Sequence, residues 1–157
     1  SRSSAASDVY KRQIVTPSLQ AMKYVCVIGA GVSGIIAARY LKEHYCVTIY
    51  EANPTIGGIW VYNKDQPGAN HTPMYKYLRT NIPKQMMCYK DLAYDDDQKC
   101  FLTSEQVMDY MERYCEKFSI KSLIEFNTPV TSVKPEISND TVKWVISTAK
   151  GKHINPV

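Results

Sequence analysis

The most constraining feature of this sequence is a glycine-rich turn that follows a short apolar run. Residues 25–28 are all apolar, which is typical of a strand covered on both faces in a parallel sheet. The turn carries glycine at its first, third and sixth positions, and it consists of Gly29, Ala30, Gly31, Val32, Ser33 and Gly34. This spacing predicts a tight bend into a helix whose free N–H groups bind a pyrophosphate.

The residues after this turn complete a strand–helix–strand unit. Residues 35–42 favour a helix, and residues 46–50 form a second apolar run that ends at Glu51. Glu51 follows the turn by about 20 residues, where dinucleotide-binding domains place the acid that binds a ribose diol. We therefore predict an α/β fold built on a Rossmann-type parallel sheet. A carboxylate would repel the 2′-phosphate of NADP, which favours a different dinucleotide at this position.

Composition excludes several classes of function. The 157 residues are about the size of one domain, and the 45% hydrophobic content permits a core. The net charge of +4 is small and no basic run alternates with aromatic residues, so we expect no nucleic-acid partner. The five cysteines form no CxxC pair and the three histidines are isolated, so we expect reduced thiols and no metal site. No apolar run approaches the ~18–20 residues of a membrane span.

The beginning of the chain does not resemble folded sequence. Residues 1–21 show no hydrophobic period, and the first seven are rich in serine and alanine. Met22 lies almost directly before the first predicted strand and would be a natural start. We therefore expect residues 1–21 to be a leader that is either non-native or disordered.

A second glycine pair lies shortly after the acid. Gly57 and Gly58 are followed by Ile59 and Trp60, and Pro54 before them prevents regular structure. Taken alone, this stretch is a glycine turn held by a core tryptophan. After a ribose-binding acid, however, it is where the phosphates and the ribityl chain of an extended flavin would lie.

The second half of the chain predicts one long helix. Thr103 and Gln106 have the spacing of a capping box, although Ser104 could cap the helix instead. An apolar stripe then recurs every three or four residues, and such a stripe indicates core rather than a cofactor pocket. Its members are Val107, Met108, Met111, Tyr114, Cys115 and Phe118.

Strands are predicted after this helix, and loops before it. Residues 123–127, 129–135 and 141–148 favour strands, of which the last two form an antiparallel ribbon. Residues 62–73 and the acidic run at 95–97 are expected to be exposed loops. The acidic run lacks the alternating oxygens and the glycine of a calcium loop, so no metal is expected there.

The two glycine motifs, together with a later Thr-Asn pair, resemble the FAD-binding half of flavin-containing monooxygenases. The resemblance begins near Lys23 and extends to the end of the chain. It implies a Rossmann-like FAD-binding domain, a parallel sheet decorated by an antiparallel ribbon. It also implies that Gly58, Ile59 and Trp60 border the phosphate–ribityl path, and that the backbone near Val130 faces the adenine.

The resemblance assigns the chemistry to a further segment. Thr80, Asn81 and Ile82 match the family's segment beside the isoalloxazine ring. Asn81 is the implied catalytic residue, since its amide could bond the flavin edge and steady a C4a-hydroperoxyflavin. Asn81 could also cap a helix in which Pro83 is the first residue, and the two roles can coexist.

The implied parent enzyme is an N,N-dialkylaniline-type monooxygenase that uses FAD and NADPH to oxygenate soft nitrogen or sulfur nucleophiles with dioxygen. The family's second nucleotide motif does not occur here, so we expect residues 22–157 to be the N-terminal portion of the FAD domain, inactive alone. A Baeyer–Villiger-type or other FAD/NAD(P)H oxidoreductase and a non-catalytic nucleotide-binding module are the alternatives. We expect the parent in the cytoplasm or on the cytoplasmic face of the endoplasmic reticulum, because no signal peptide is seen.

Overall fold

The computed structural model describes residues 23–62, 73–138 and 141–155. Its strands and longer helices, in chain order, are β1 (Tyr24–Ile28), α1 (Val32–Leu41), β2 (Cys46–Tyr50), α2 (Lys84–Met87), α3 (Ser104–Lys117), β3 (Ile124–Glu125), β4 (Val130–Ser138), β5 (Thr141–Thr148) and β6 (Gly151–Asn155). Single turns of 3-10 helix lie at Gly58–Trp60 and Lys121–Leu123. The expected leader over residues 1–21 and most of the expected loop over 62–73 lie outside the described residues.

The first sheet is parallel and has the strand order β1-β2-β3. Val25 lies opposite Val47 and Val27 opposite Ile49, so the two apolar runs of the sequence face each other in register. Helix α1 connects β1 to β2 and buries Ile35 against the sheet. The predicted strand–helix–strand unit and the α/β class are therefore confirmed.

The second sheet is antiparallel and has the order β4-β5-β6. The predicted ribbon of β4 and β5 is present, with Val133 opposite Ile146. Strand β6 was not predicted, because residues 150–152 indicated only a turn. The strand forms because β5 offers a free edge to it, and Gly151, with φ +143°, pairs with Thr148 directly after that turn.

Helix α3 supplies much of the core. Its capping box is formed, since the Gln106 N–H donates to Thr103 Oγ1 at 3.3 Å and the Thr103 N–H donates to Gln106 Oε1 at 3.0 Å. Every member of the predicted stripe is buried or packed against the core. Tyr110, which the stripe omitted, is buried as well. None of the described helices is long and apolar enough to cross a membrane.

A buried lysine organises the loop that contains the acidic run. Lys84 is 6% exposed, and its ammonium group donates to the carbonyls of Asp95, Asp96 and Gln98. The Asp95 carboxylate in turn forms an ion pair with Arg113 of α3, with two N–O distances of 2.6 and 3.0 Å. Residues 95–97 are exposed, as expected, and no group of possible metal ligands occurs among the described residues.

Replacing this lysine tests its role in the fold. Lys84→Met should lower the free energy of unfolding by about 2–3 kcal/mol, because the three carbonyls of the loop lose their charged hydrogen-bond donor. Urea unfolding followed by circular dichroism measures the change. The matched control is Lys90→Met at an exposed position, which should change stability by less than about 0.5 kcal/mol. Equal stability of the two variants would contradict the role of Lys84.

Candidate functional site

The first glycine turn leads from the carboxyl end of β1 into α1. Gly29 has φ +92°, and its N–H donates to the Tyr50 carbonyl at 2.8 Å, which ties the turn to the end of β2. Gly31 is the N-cap residue, and the Ile35 N–H makes the first helical bond, to the Gly31 carbonyl at 3.0 Å. The N–H groups of residues 32–34 precede that bond and project from the helix N-terminus. This end of α1 is therefore suited to an anion.

The third glycine of the motif is required by packing. A Cβ at Gly34 would lie 1.9 Å from the Gly29 carbonyl oxygen and 3.4 Å from a methyl group of Val27. No side chain fits in this space, so α1 begins in direct contact with the turn and the strand.

Glu51 joins the turn to the end of β2. Its carboxylate is buried, with 4% of the residue exposed. Oε2 accepts the Ala30 N–H at 2.6 Å, and Oε1 accepts the backbone and side-chain N–H groups of Asn53 at 2.8 and 2.9 Å. An ionised carboxylate accepts about four hydrogen bonds, so three protein donors leave about one acceptor site at Oε2. The Glu51 side chain therefore points into the first glycine turn and stabilises it through the Ala30 N–H.

The second glycine turn packs directly on the first. The Gly57 N–H donates to the Ala30 carbonyl at 3.0 Å, and a Cβ at Gly58 would lie 3.2 Å from the Gly31 Cα. Gly57 and Gly58 have φ values of +120° and +55°. The facing surfaces of the two turns are thus bare backbone, and we call this pair of turns the glycine cradle. Glycine at both turns therefore leaves the main chain uncovered by side chains at their contact.

Met108 of α3 fills the space behind the second turn. A Cβ at Gly57 would lie 2.4 Å from the Met108 sulfur and 2.7 Å from its methyl carbon. Ile59, further along the turn, is 60% exposed, whereas Trp60 is partly buried and packs against the core. The tryptophan therefore anchors the turn. The helical spacing of Met108 predicts only a core position and does not indicate its contact with Gly57.

The segment that leads into β4 is held beside Glu51. The Thr128 N–H donates to the Glu51 carbonyl at 2.8 Å, and the Asn127 N–H donates to the Asn53 carbonyl at 3.2 Å. Thr128 is fully buried. Val130 follows two residues later as the first residue of β4. The structure therefore connects the backbone near Val130 with the acid rather than leaving it at a distance.

The Thr-Asn pair lies on a segment fixed by backbone contacts. Thr80 is buried, and its hydroxyl donates to the Ile82 carbonyl at 3.0 Å and accepts the Leu102 N–H at 3.0 Å. Asn81 and Ile82 are exposed. The expectation that Asn81 caps a helix is wrong, because α2 begins at Lys84 and the cap position is Pro83, in extended conformation.

Burial keeps the ionisable cysteine and tyrosine side chains of the core neutral. It raises the pKa of Cys26 to about 11 and the pKa values of Cys115 and Tyr110 to about 12. Burial also raises the pKa of three further tyrosines, Tyr89, Tyr94 and Tyr114. None of these groups ionises near neutral pH, so none of them supplies a ready nucleophile.

The sequence of this chain is similar to those of known proteins. The family described as FMO-like, flavin-binding monooxygenase-like, matches residues 22–156. This chain belongs to the flavin-binding monooxygenase-like family. The flavin-containing monooxygenase GS-OX-like 4 of Arabidopsis thaliana is 32% identical over 89% of this chain and 36% of that protein. The N-oxide-forming dimethylaniline monooxygenase 4 of Homo sapiens is 35% identical over 83% of this chain and 24% of that protein.

The fold is also found in a solved structure. The S-allyl-L-cysteine S-oxygenase of Allium sativum superimposes with a TM-score of 0.73 and 29% identity, covering 85% of this chain and 35% of that one. This chain therefore spans about a quarter to a third of the length of these three proteins. The resemblance and the fold expected from the glycine motifs are confirmed.

Gly34, the third glycine of the first turn, allows a direct test of the packing. Gly34→Ala should lower the free energy of unfolding by about 3 kcal/mol or more, because its Cβ would overlap the Gly29 carbonyl. Gly31→Ala is the matched control, since a Cβ there meets nothing closer than 3.7 Å, and it should cost at most about 1 kcal/mol. Thermal unfolding by circular dichroism measures both variants, and similar losses would refute the packing argument.

Proposed function

We propose that residues 22–157 form the N-terminal portion of the FAD-binding domain of a flavin monooxygenase, and that the glycine cradle binds the pyrophosphate of FAD. The observation that carries the proposal is the contact between the two glycine turns. The turns lie so close that a Cβ at Gly58 would be 3.2 Å from the Gly31 Cα, and glycine leaves only main-chain atoms at this contact. The cradle also lies at the N-terminus of α1, where backbone N–H groups and the helix dipole favour negative charge.

The chemistry around the cradle fits the adenylate end of FAD. Glu51 retains about one acceptor site at Oε2 for a ribose hydroxyl, and its negative charge disfavours a ribose with a 2′-phosphate. FAD suits this position better than NADPH for that reason. The backbone near Val130, held beside Glu51 through Thr128, would border the adenine.

The other end of the flavin would lie beside two segments, the second glycine turn and the segment that carries the Thr-Asn pair. The Gly58–Trp60 turn would line the phosphate–ribityl path, with Trp60 anchoring it. Asn81 presents an exposed amide from a segment that Thr80 fixes in place, and a primary amide can both donate to and accept from a ring edge. We assign Asn81 the catalytic role, in which its amide would hydrogen-bond to the edge of the flavin. Thr80 and Ile82 flank Asn81 in the chain.

FAD, when bound and reduced, supplies the activation of dioxygen and the transfer of one oxygen atom to the substrate. We propose NADPH as the reductant and a soft nitrogen or sulfur nucleophile as the substrate class of the longer parent protein. The activities named for two similar proteins, an N-oxide-forming dimethylaniline monooxygenase and an S-oxygenase, support this class. The residues of this chain contribute binding and orientation, since its buried cysteines and tyrosines remain neutral.

Cofactor selectivity tests the proposal. The purified chain should bind FAD, measured by quenching of flavin fluorescence, and ADP should compete with FAD for the same site. FMN, which lacks the adenylate half, should bind at least tenfold more weakly than FAD. Equal binding of FMN and FAD would contradict the cradle assignment. Binding of ADP without any competition by FAD would instead favour a non-catalytic nucleotide-binding module.

A substitution within the cradle tests the same point locally. Gly31→Val should abolish FAD binding, because the side chain would occupy the space between the two turns. The control Ala93→Val adds the same branched side chain at an exposed position and should leave the affinity for FAD unchanged. Circular dichroism verifies that both variants are folded. Full FAD occupancy in the Gly31→Val variant would show that the phosphates lie elsewhere.

A further inference from the structure

Tyr89 reaches from the loop before α3 to the first turn of α1. Its hydroxyl donates to the Val32 carbonyl at 2.6 Å. Its backbone N–H donates to the Tyr110 hydroxyl at 2.7 Å, and that hydroxyl donates in turn to the Leu92 carbonyl at 2.6 Å. The Tyr89 ring also packs edge-on against Tyr114, with ring centroids 4.5 Å apart. The side chain is therefore fixed at its backbone, its ring and its hydroxyl.

The carbonyl that Tyr89 contacts belongs to the same peptide group as the Ser33 N–H. A trans peptide is planar, so its C=O and N–H point in opposite directions and cannot rotate independently. The bond from Tyr89 adds to the helical bond that the Val32 carbonyl accepts within α1, and it therefore further restrains the direction of the Ser33 N–H. It also polarises the peptide group, which makes that N–H a stronger donor. Ser33 is exposed at the helix N-terminus, where its N–H has no intrahelical acceptor.

We propose that Tyr89 is a positioning residue for the pyrophosphate of the cofactor, acting through the Val32–Ser33 peptide group. This inference rests on the proposed function of the glycine cradle and adds a residue outside both glycine motifs. The hydroxyl is suited to this task because burial raises the pKa of Tyr89, so it keeps its proton and remains a donor at every physiological pH. No sequence spacing indicates such a role, since 57 positions separate Tyr89 from Val32.

The same helix offers a matched control. The Tyr40 hydroxyl donates to Asp91 at 3.0 Å near the C-terminal end of α1. Removing the Tyr40 hydroxyl deletes this one hydrogen bond between α1 and Asp91, but it leaves the first turn of α1 unchanged. Tyr40→Phe and Tyr89→Phe thus differ in which end of the helix loses its contact, while the rings remain.

Tyr89→Phe should weaken the binding of both FAD and ADP about fivefold, which is about 1 kcal/mol at 1.4 kcal/mol per tenfold. The FAD titration uses flavin fluorescence and the ADP titration uses calorimetry. In the ligand-free chain, the amide proton resonance of Ser33 should move upfield in a ¹H–¹⁵N correlation spectrum, because its peptide group is less polarised. Tyr40→Phe should leave both affinities and the Ser33 resonance as in the unsubstituted chain.

The outcomes separate this inference from the function on which it rests. If the unsubstituted chain binds neither FAD nor ADP, the proposed function fails and the role of Tyr89 fails with it. If that chain binds both ligands and Tyr89→Phe binds them equally well, only the role of Tyr89 is overturned. A loss of affinity without any change at Ser33 would make Tyr89 a general support of the loop, which also overturns the inference.

Discussion

The hydrogen bond from the Ala30 N–H to the buried Glu51 carboxylate is the interaction on which the site depends. A buried carboxylate is stable only where donors replace the water it has lost, and Glu51 has three such donors from the protein. Because one of those donors is in the first turn, the carboxylate fixes the turn relative to the end of β2. The Glu51 main chain holds the segment before β4 in the same way, through Thr128. The glycine turn, the second strand and the approach to the second sheet thus converge at one residue.

The glycine cradle has a physical consequence for selectivity. Its surface consists of main-chain atoms from two turns, so a ligand bound as proposed would meet peptide N–H groups and the dipole of α1 rather than charged side chains. Under the proposed function, such a surface would contact a pyrophosphate without distinguishing the groups attached to its two ends. Selectivity would then come from neighbouring side chains, which are Glu51 on the proposed ribose side and the exposed Ile59 and Asn81 on the proposed flavin side.

A second layer of side chains supports the cradle from behind. Met108 fills the space below Gly57, and Tyr89 is bonded to the first turn of α1. Both residues depend on α3, since Met108 lies on that helix and Tyr89 is held by Tyr110. The capping box fixes the start of α3, and Lys84 holds the loop whose Asp95 pairs with Arg113 of the same helix. The abundance of tyrosine in this sequence has part of its explanation here, in rings that pack as hydrophobic groups while their hydroxyls bond to main-chain atoms.

The sequence alone determined the α/β class, the first turn, the acid at the end of β2 and the buried face of α3. Each of these follows from spacing within a short stretch, where helix and strand periods and the geometry of glycine leave few alternatives. Only the tertiary structure decided that Gly58 packs on Gly31, that Asn53 and Ala30 share the Glu51 carboxylate, that β6 adds to β5, and that Tyr89 reaches Val32. Most of these contacts join residues far apart in the chain, and all of them depend on side-chain direction, packing distance or a free strand edge. No local pattern encodes those quantities, because they arise only when separate elements are brought together.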